Sequence, residues 1–204
     1  MDGERRGLAL TAGVALLERA IDYTLGSLRV VTPATLCRPT PCAGWSLDKL
    51  LDHVNDSLRT LNEAATGHIS PRTRKIGRLR RARAGNPALV LRDDATEVLG
   101  VWVGTLAHDV ISVHDRHLTS PMVAAVGAIE IAVHGWDVAR TCGEHRPIPS
   151  LMAEELLDLA RLFITQADRP ARFAARLTVP ADAPAQDHLL AYLGRDPNWS
   201  SCRT

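Results

Sequence analysis

Apolar residues recur at helical spacing along most of the chain, and short polar or proline-rich segments interrupt them. Leu8, Val14, Leu17, Ile21, Leu25 and Leu28 predict a first helix over residues 8–30. The segment "TPATLCRPTPCAGW" follows, and Pro33, Pro39 and Pro41 make it a loop. Ser46 is placed to cap a second helix, with Asp48 in its first turn. Leu47, Leu50, Leu51, Val54, Leu58 and Leu61 carry that helix towards Gly67. Asn86-Pro87 opens a third helix that contains Leu89, Val90, Ala95, Val98, Leu99 and Trp102. A polar stretch leads to Pro121, with no hairpin pattern in it. A fourth helix is predicted over residues 122–142, stopped by Gly143, and a fifth over residues 150–167. The tail reads as a short extended segment, a proline turn and a last short helix. The class is all-α, a four-helix bundle with additions.

The fourth helix carries the chemistry. In "AIEIAVHGWDVAR", Glu130, His134, Asp137 and Thr141 form one line, and Ala124, Ala128, Ala132, Gly135 and Ala139 form the opposite side. A helix apolar almost all round is buried, so its polar line faces the bundle. Buried charges need a partner or a metal. One reading is a mutual hydrogen bond between Glu130 and His134 with an arginine from another helix. The other is a divalent ion held by His134 nitrogen and Glu130 oxygen. His53, in "LLDHVNDSL", lies off the apolar stripe of the second helix, in line with Ser57 and Thr60. That position suits a residue lining a central cavity, and equally a half-exposed surface histidine. Two imidazoles and a carboxylate suit zinc, iron or nickel and leave positions open for water or substrate, as in catalytic sites. Asp137 is placed to orient His134 by accepting its other N–H, or to pair with Arg140 or Arg161.

Composition narrows the class. The chain has 204 residues, 46% hydrophobic and 23% charged, with a formal net charge of +1, so bulk charge favours no particular partner. Cys37, Cys42, Cys142 and Cys202 form no C-x-x-C motif, although a Cys37–Cys42 disulfide is conceivable. Cys42 reads as buried and not a ligand. The N-terminal "ERRGLALTAGVALL" faintly resembles a leader but reads as an amphipathic helix. No apolar run approaches the roughly 20 residues needed to span a membrane, so a cytoplasmic protein is expected.

"TPCAGWSLDKLLDHV" followed by "IEIAVHGWDVARTCG", with the closing "DHLLAYLGRDPNW", resembles the DinB-like bundle superfamily. It is most similar to the actinobacterial branch that includes mycothiol-dependent maleylpyruvate isomerase and uncharacterised relatives. The resemblance implies an up-down-down-up four-helix bundle with a long crossover after the second helix. It implies one metal-binding domain over residues 1–204, with 170–204 as a C-terminal extension packed on it. The isomerase carries a further C-terminal domain, which is expected to be absent or vestigial here. The resemblance also implies a metal site on His53, Glu130 and His134, with zinc first and nickel or iron as alternatives. Mycothiol is the implied cosubstrate, and a small electrophile the second partner. The expected function is therefore a metal-dependent thiol S-transferase or thiol-dependent isomerase, acting as monomer or homodimer. The alternative is a non-catalytic bundle that binds a metal or small molecule. A structural protein in which Glu130 and His134 are an ion pair is a third reading.

Other features suggest less. The basic run over residues 72–83 lacks interleaved aromatics, so it reads as a solvated loop, or as an anion-gripping lid, before a nucleic-acid surface. His108, His114 and His117 with Asp109 and Asp115 read as a polar connector in preference to a second metal site. Trp45, Trp102, Trp136 and Trp199 read as packing residues.

Overall fold

The computed structural model describes residues 2–65, 87–104, 110–113, 116–170 and 172–201. Helix α1 spans Asp2–Ser27 and runs on into a 3-10 turn, Leu28–Val30. Helix α2 spans Leu47–Ala65 and α3 spans Pro87–Gly104. Strands β1 (Val110–Val113) and β2 (Arg116–Thr119) form an antiparallel hairpin, with Val110 opposite Thr119. Helix α4 spans Ser120–Thr141, α5 spans Ser150–Phe163 and α6 spans Ala185–Tyr192. The basic run 72–83 and His108, Asp109, His114 and Asp115 lie outside the described residues. His117 is in β2.

Helix α1 begins at Asp2, ahead of the predicted residue 8, and two further elements depart from the sequence reading. The hairpin was not legible, because its strands are four residues each and lack a strong alternating pattern. The fifth helix stops at Phe163, short of residue 167. Ile164 turns extended, and Thr165 then caps a separate 3-10 turn, Gln166–Asp168, with its hydroxyl accepting from Ala167 N at 3.3 Å. The caps at Ser46 and Gly143 form as expected. Lys49 N donates to Ser46 Oγ. Gly143 takes φ +88°, and Glu144 N donates to Ala139 O at 2.9 Å, closing α4.

Side-chain contacts fix the directions of the four long helices. Gly13 faces Pro121 and Ala124, and farther along Thr24 Oγ1 donates to Ile131 O at 2.8 Å, so α1 and α4 run parallel. Leu61 lies on Gly127 and His53 on Glu130, so α2 runs against α4. Arg59 meets Asp94 at 3.2 Å and Asn62 meets Glu97 at 2.8 Å, so α3 runs parallel to α2. With α3 also against α1, the four helices close an up-down-down-up bundle. Parallel neighbours in sequence need a connection that returns the length of a helix, about 28 Å for α2.

Leu17, Ile21, Leu50, Leu51, Leu58, Leu91 and Ile131 are fully buried between these helices. Helix α4 is long and apolar enough to cross a membrane by composition, contrary to the sequence expectation. Yet 78% of its apolar window is buried inside the protein, as in a core helix. Leu189, Leu190 and Leu193 of the tail belong to the same core cluster as the bundle, and α6 packs chiefly on α5.

Candidate metal centre

The polar line of α4 descends from the surface into the protein. Val126 is 44% exposed, and the side chains of Glu130, His134 and Asp137 are 27%, 5% and 0% exposed. The line therefore opens at one end and is sealed at the other. The small residues on the opposite side of the helix let α1 pack closely against it there. A Cβ on Gly135 would lie 3.0 Å from Thr24 Cα.

His53 comes to this line from α2. Its Nε2 is 2.5 Å from Glu130 Oε1, and its ring centroid is 5.0 Å from that of His134. Its side chain is 39% exposed, and its ring faces α4. His134 Nε2 is 3.3 Å from the same Glu130 oxygen. Ser57 Oγ, one turn beyond His53, donates to that oxygen at 3.2 Å. One nitrogen from each of His53 and His134 and one oxygen of Glu130 lie within 4.8 Å of one another. Trp45 packs edge-on against His53, with centroids 4.9 Å apart, and so walls the centre as well as packing. Trp102 instead pins the bundle, its Nε1 donating to Leu61 O at 3.1 Å.

The second nitrogen of His134 is fixed from below. Nδ1 is 2.9 Å from Asp137 Oδ2, one turn along α4. Asp137 pairs with neither Arg140 nor Arg161. Arg140 reaches the Trp199 carbonyl, and Arg161 lies beside Asp158 on α5. The cation at Asp137 is Arg195, whose Nη2 is 3.3 Å from Oδ2 and whose Nε is 3.4 Å from Oδ1.

Arg195 and Cys42 were not legible as partners of this site. Arg195 follows Gly194, which takes φ +78° and ends α6, with Arg195 N donating to Leu190 O at 2.8 Å. That turn, and the buried Leu189–Leu190 pair before it, aim the guanidinium at α4. The glycine after an apolar helix was the available signal. Cys42 sits in a tight turn closed by Thr40 N to Trp45 O at 3.0 Å, with Gly44 at φ +76°. Its Sγ is 3.3 Å from Asp137 Oδ2 and 4.0 Å from His134 Nδ1. Cys37 and Cys42 are both free thiols.

Electrostatics follow from these distances. Burial opposes the charge on Glu130, but the fields and hydrogen bonds of His134 and His53 outweigh it and hold the carboxyl well below its ordinary range. Burial likewise opposes a charged His134. Glu130 and the hydrogen bond with Asp137 prevail and hold it well above its ordinary value. Asp137 is buried too, yet Arg195 and His134 keep it lowered. Cys42, His134 Nδ1 and Asp137 form a second group of donors within 4.8 Å. The Arg195 guanidinium, 3.5 Å from Cys42 Sγ, already supplies the positive charge there. That charge opposes a metal ion in that place, whereas no arginine among the described residues meets the group formed by His53, Glu130 and His134 Nε2.

The likenesses of the chain agree with this architecture. It is 26% identical over 180 residues to the uncharacterized proteins MT0763 and Rv0738 of two Mycobacterium tuberculosis strains, covering 87% of this chain and 94% of each relative. The bundle superposes on crystal structures of mycothiol-dependent maleylpyruvate isomerase and a mutant of it. The TM-score is 0.58 at 19% identity, covering 78% of this chain and 70% of the other. Residues 17–139 match the mycothiol maleylpyruvate isomerase N-terminal domain, and the chain belongs to that family.

Proposed function

We propose that the protein is a metal-dependent enzyme that uses a low-molecular-weight thiol of the mycothiol type on a small electrophile, as an S-transferase or a thiol-dependent isomerase. The carrying observation is the convergence of His53 Nε2, Glu130 Oε1 and His134 Nε2 at one end of a sealed polar line. The donor set fits a divalent ion of the zinc type: two imidazole nitrogens and one carboxylate oxygen, on rigid helices, with the carboxylate and one imidazole fixed from behind. Zinc is the first candidate, with nickel or iron next. Family membership supports mycothiol as the thiol. We place the reaction in the cytoplasm, within a single domain.

A bound divalent ion would supply a deprotonated thiol at neutral pH, since a coordinating thiol loses its proton. The chain's own residues do the rest. Asp137 accepts the Nδ1 proton of His134, so Nε2 is the nitrogen that would give up its proton and turn its lone pair to an ion. Ser57 fixes the Glu130 carboxylate by donating to it. His53 and Trp45 form the partly exposed wall of the centre. Cys42 lies on the Nδ1 side of His134, so it is no fourth ligand at Nε2.

The competing reading is a closed ion-pair network, favoured by the direct 2.5 Å contact of His53 with Glu130. Metal content by inductively coupled plasma mass spectrometry, on untagged protein and on His134→Ala, separates the two. About one divalent ion per chain, lost in the variant, together with thiol transfer to a small electrophile, is expected. An empty protein after incubation with zinc or nickel would sink the enzyme reading.

A further inference from the structure

The tail that follows α5 supplies something the three donor residues do not explain. Asp137 is fully buried, and a carboxylate there needs a fixed counter-charge. Its oxygens receive His134 Nδ1, Cys42 Sγ and two nitrogens of Arg195. Of these partners only Arg195 comes from outside the four long helices and the loop before α2. Its side chain is 12% exposed, and its remaining Nη1 donates to Leu193 O at 3.2 Å, so the fork is held in one pose. The tail is tied down again four residues on, where Arg140 of α4 donates to the Trp199 carbonyl.

We infer that Arg195 is a positioning residue of the metal centre: it fixes Asp137, which in turn fixes the ring of His134 with Nε2 towards Glu130. The C-terminal extension is thereby part of the centre and more than a cover for the core. A lysine at this place would keep the charge. It would lose the two-pronged grip on the carboxylate, because an ammonium is a point charge where the guanidinium is a planar fork. The inference rests on the metal reading for its effect on affinity, but its geometric core is a statement about the metal-free imidazole.

The test therefore reads both. Arg195→Met, Arg195→Lys and Asp137→Asn are compared with the parent chain by Zn²⁺ titration and by the imidazole ¹H–¹⁵N resonances of His134 in metal-free protein. In the parent the Nδ1 proton is expected downfield and slow to exchange. Asp137→Asn and Arg195→Met should shift it and raise the Zn²⁺ Kd roughly 10–100-fold, the usual effect of losing an outer hydrogen-bond partner. Arg195→Lys should recover part of both. A folded Arg195→Met with the parent's Kd and imidazole resonances would overturn the inference. If Arg195→Met does not fold, parent-like values in Arg195→Lys for both readouts would overturn it equally. A parent chain that takes no Zn²⁺ removes the enzyme reading. The imidazole resonance then still decides the role of Arg195.

Discussion

His53 Nε2 stands 2.5 Å from Glu130 Oε1, although 77 positions separate the two residues along the chain. The contact closes a triangle with His134 across the α2–α4 interface, and each corner is set by a different turn of a rigid helix. Removing a corner should cost more than removing a supporting group. For His53→Ala and Glu130→Gln we expect zinc affinity to fall beyond the roughly 10–100-fold typical of outer-partner loss. Helical content should be unchanged, because both side chains are partly exposed. Equilibrium zinc titration against a chromophoric chelator checks this. Parent-like affinity in Glu130→Gln would remove Glu130 from the ligand set.

The pH dependence of metal-free and metal-loaded protein should diverge. In the metal-free chain, His134 is held well above its ordinary value and Glu130 well below. A raised base contributes stability that is full below its unfolded value, about 6.5, and is lost as pH climbs through the folded value. A depressed acid contributes stability that is present above about 4.3 and is lost as pH falls through the folded value. The pair therefore contributes fully between roughly pH 4.3 and 6.5, and progressively less on the alkaline side. An ion must displace the His134 proton, so its affinity rises over that same alkaline range. Differential scanning calorimetry should show the gap in Tm between loaded and metal-free protein widening from about pH 6 to about pH 9. A gap independent of pH would mean that no ion replaces that proton.

The helices were legible because their apolar periodicity and their stops are local. Leu47 to Leu61 marks α2, and Gly143 ends α4 where a left-handed residue is required. The line Glu130–His134–Asp137 was legible for the same reason, being one stripe on one helix. The inward-facing role of His53 was legible only through the family resemblance, because a position at the edge of a stripe is decided by what packs opposite. Arg195 and Cys42 were hidden for a further reason. They reach Asp137 from 58 and 95 positions away, through two turns built on Gly194 and Gly44, and no periodicity reports such a meeting. The ion pair of Arg59 with Asp94, which fixes α2 against α3, was likewise invisible.

Gly135 allows α1 to approach the helix that bears the site. A methyl group there would meet Thr24, whose Cα would be 3.0 Å away, and backbone cannot swing aside as a side-chain tip can. The hydrogen bond of Thr24 to Ile131 O would be displaced with it. Gly135→Ala should destabilise the protein by about 1–3 kcal/mol despite the better helix propensity of alanine. In a chain of this size that lowers Tm by about 2–4 °C per kcal/mol. Thermal unfolding followed by circular dichroism tests it, and an unchanged or raised Tm would show that α1 can move away freely.

Arg59→Ala should be costlier. The guanidinium and the Asp94 carboxylate are 11% and 5% exposed, so removing the arginine takes the cation away from a buried carboxylate. The expected loss is about 3–5 kcal/mol. Urea denaturation gives the value directly, and Arg59→Ala combined with Asp94→Ala should be less harmful than Arg59→Ala alone. Equal damage in both would mean that the pair acts through packing.

Cys42 separates the two groups of donors that His134 joins. Its sulfur lies on the Nδ1 side, together with Asp137 and Arg195, and the proposed ion lies on the Nε2 side with His53 and Glu130. If the ion sat on the Nδ1 side, a thiolate ligand would be lost in Cys42→Ser and Co²⁺-substituted protein would lose its sulfur-to-metal charge-transfer band. With the ion at Nε2, Cys42→Ser still offers a hydroxyl to Asp137 and should keep about one ion per chain with an unchanged Co²⁺ spectrum. Such a spectrum, measured before any thiol is added, would also leave the intense near-ultraviolet band free to report the arrival of an external thiolate. Cys42→Ser is therefore the background in which mycothiol or a simpler thiol should be titrated. A band that grows with added thiol there, and not in His53→Ala, would connect the centre to the thiol chemistry proposed for it.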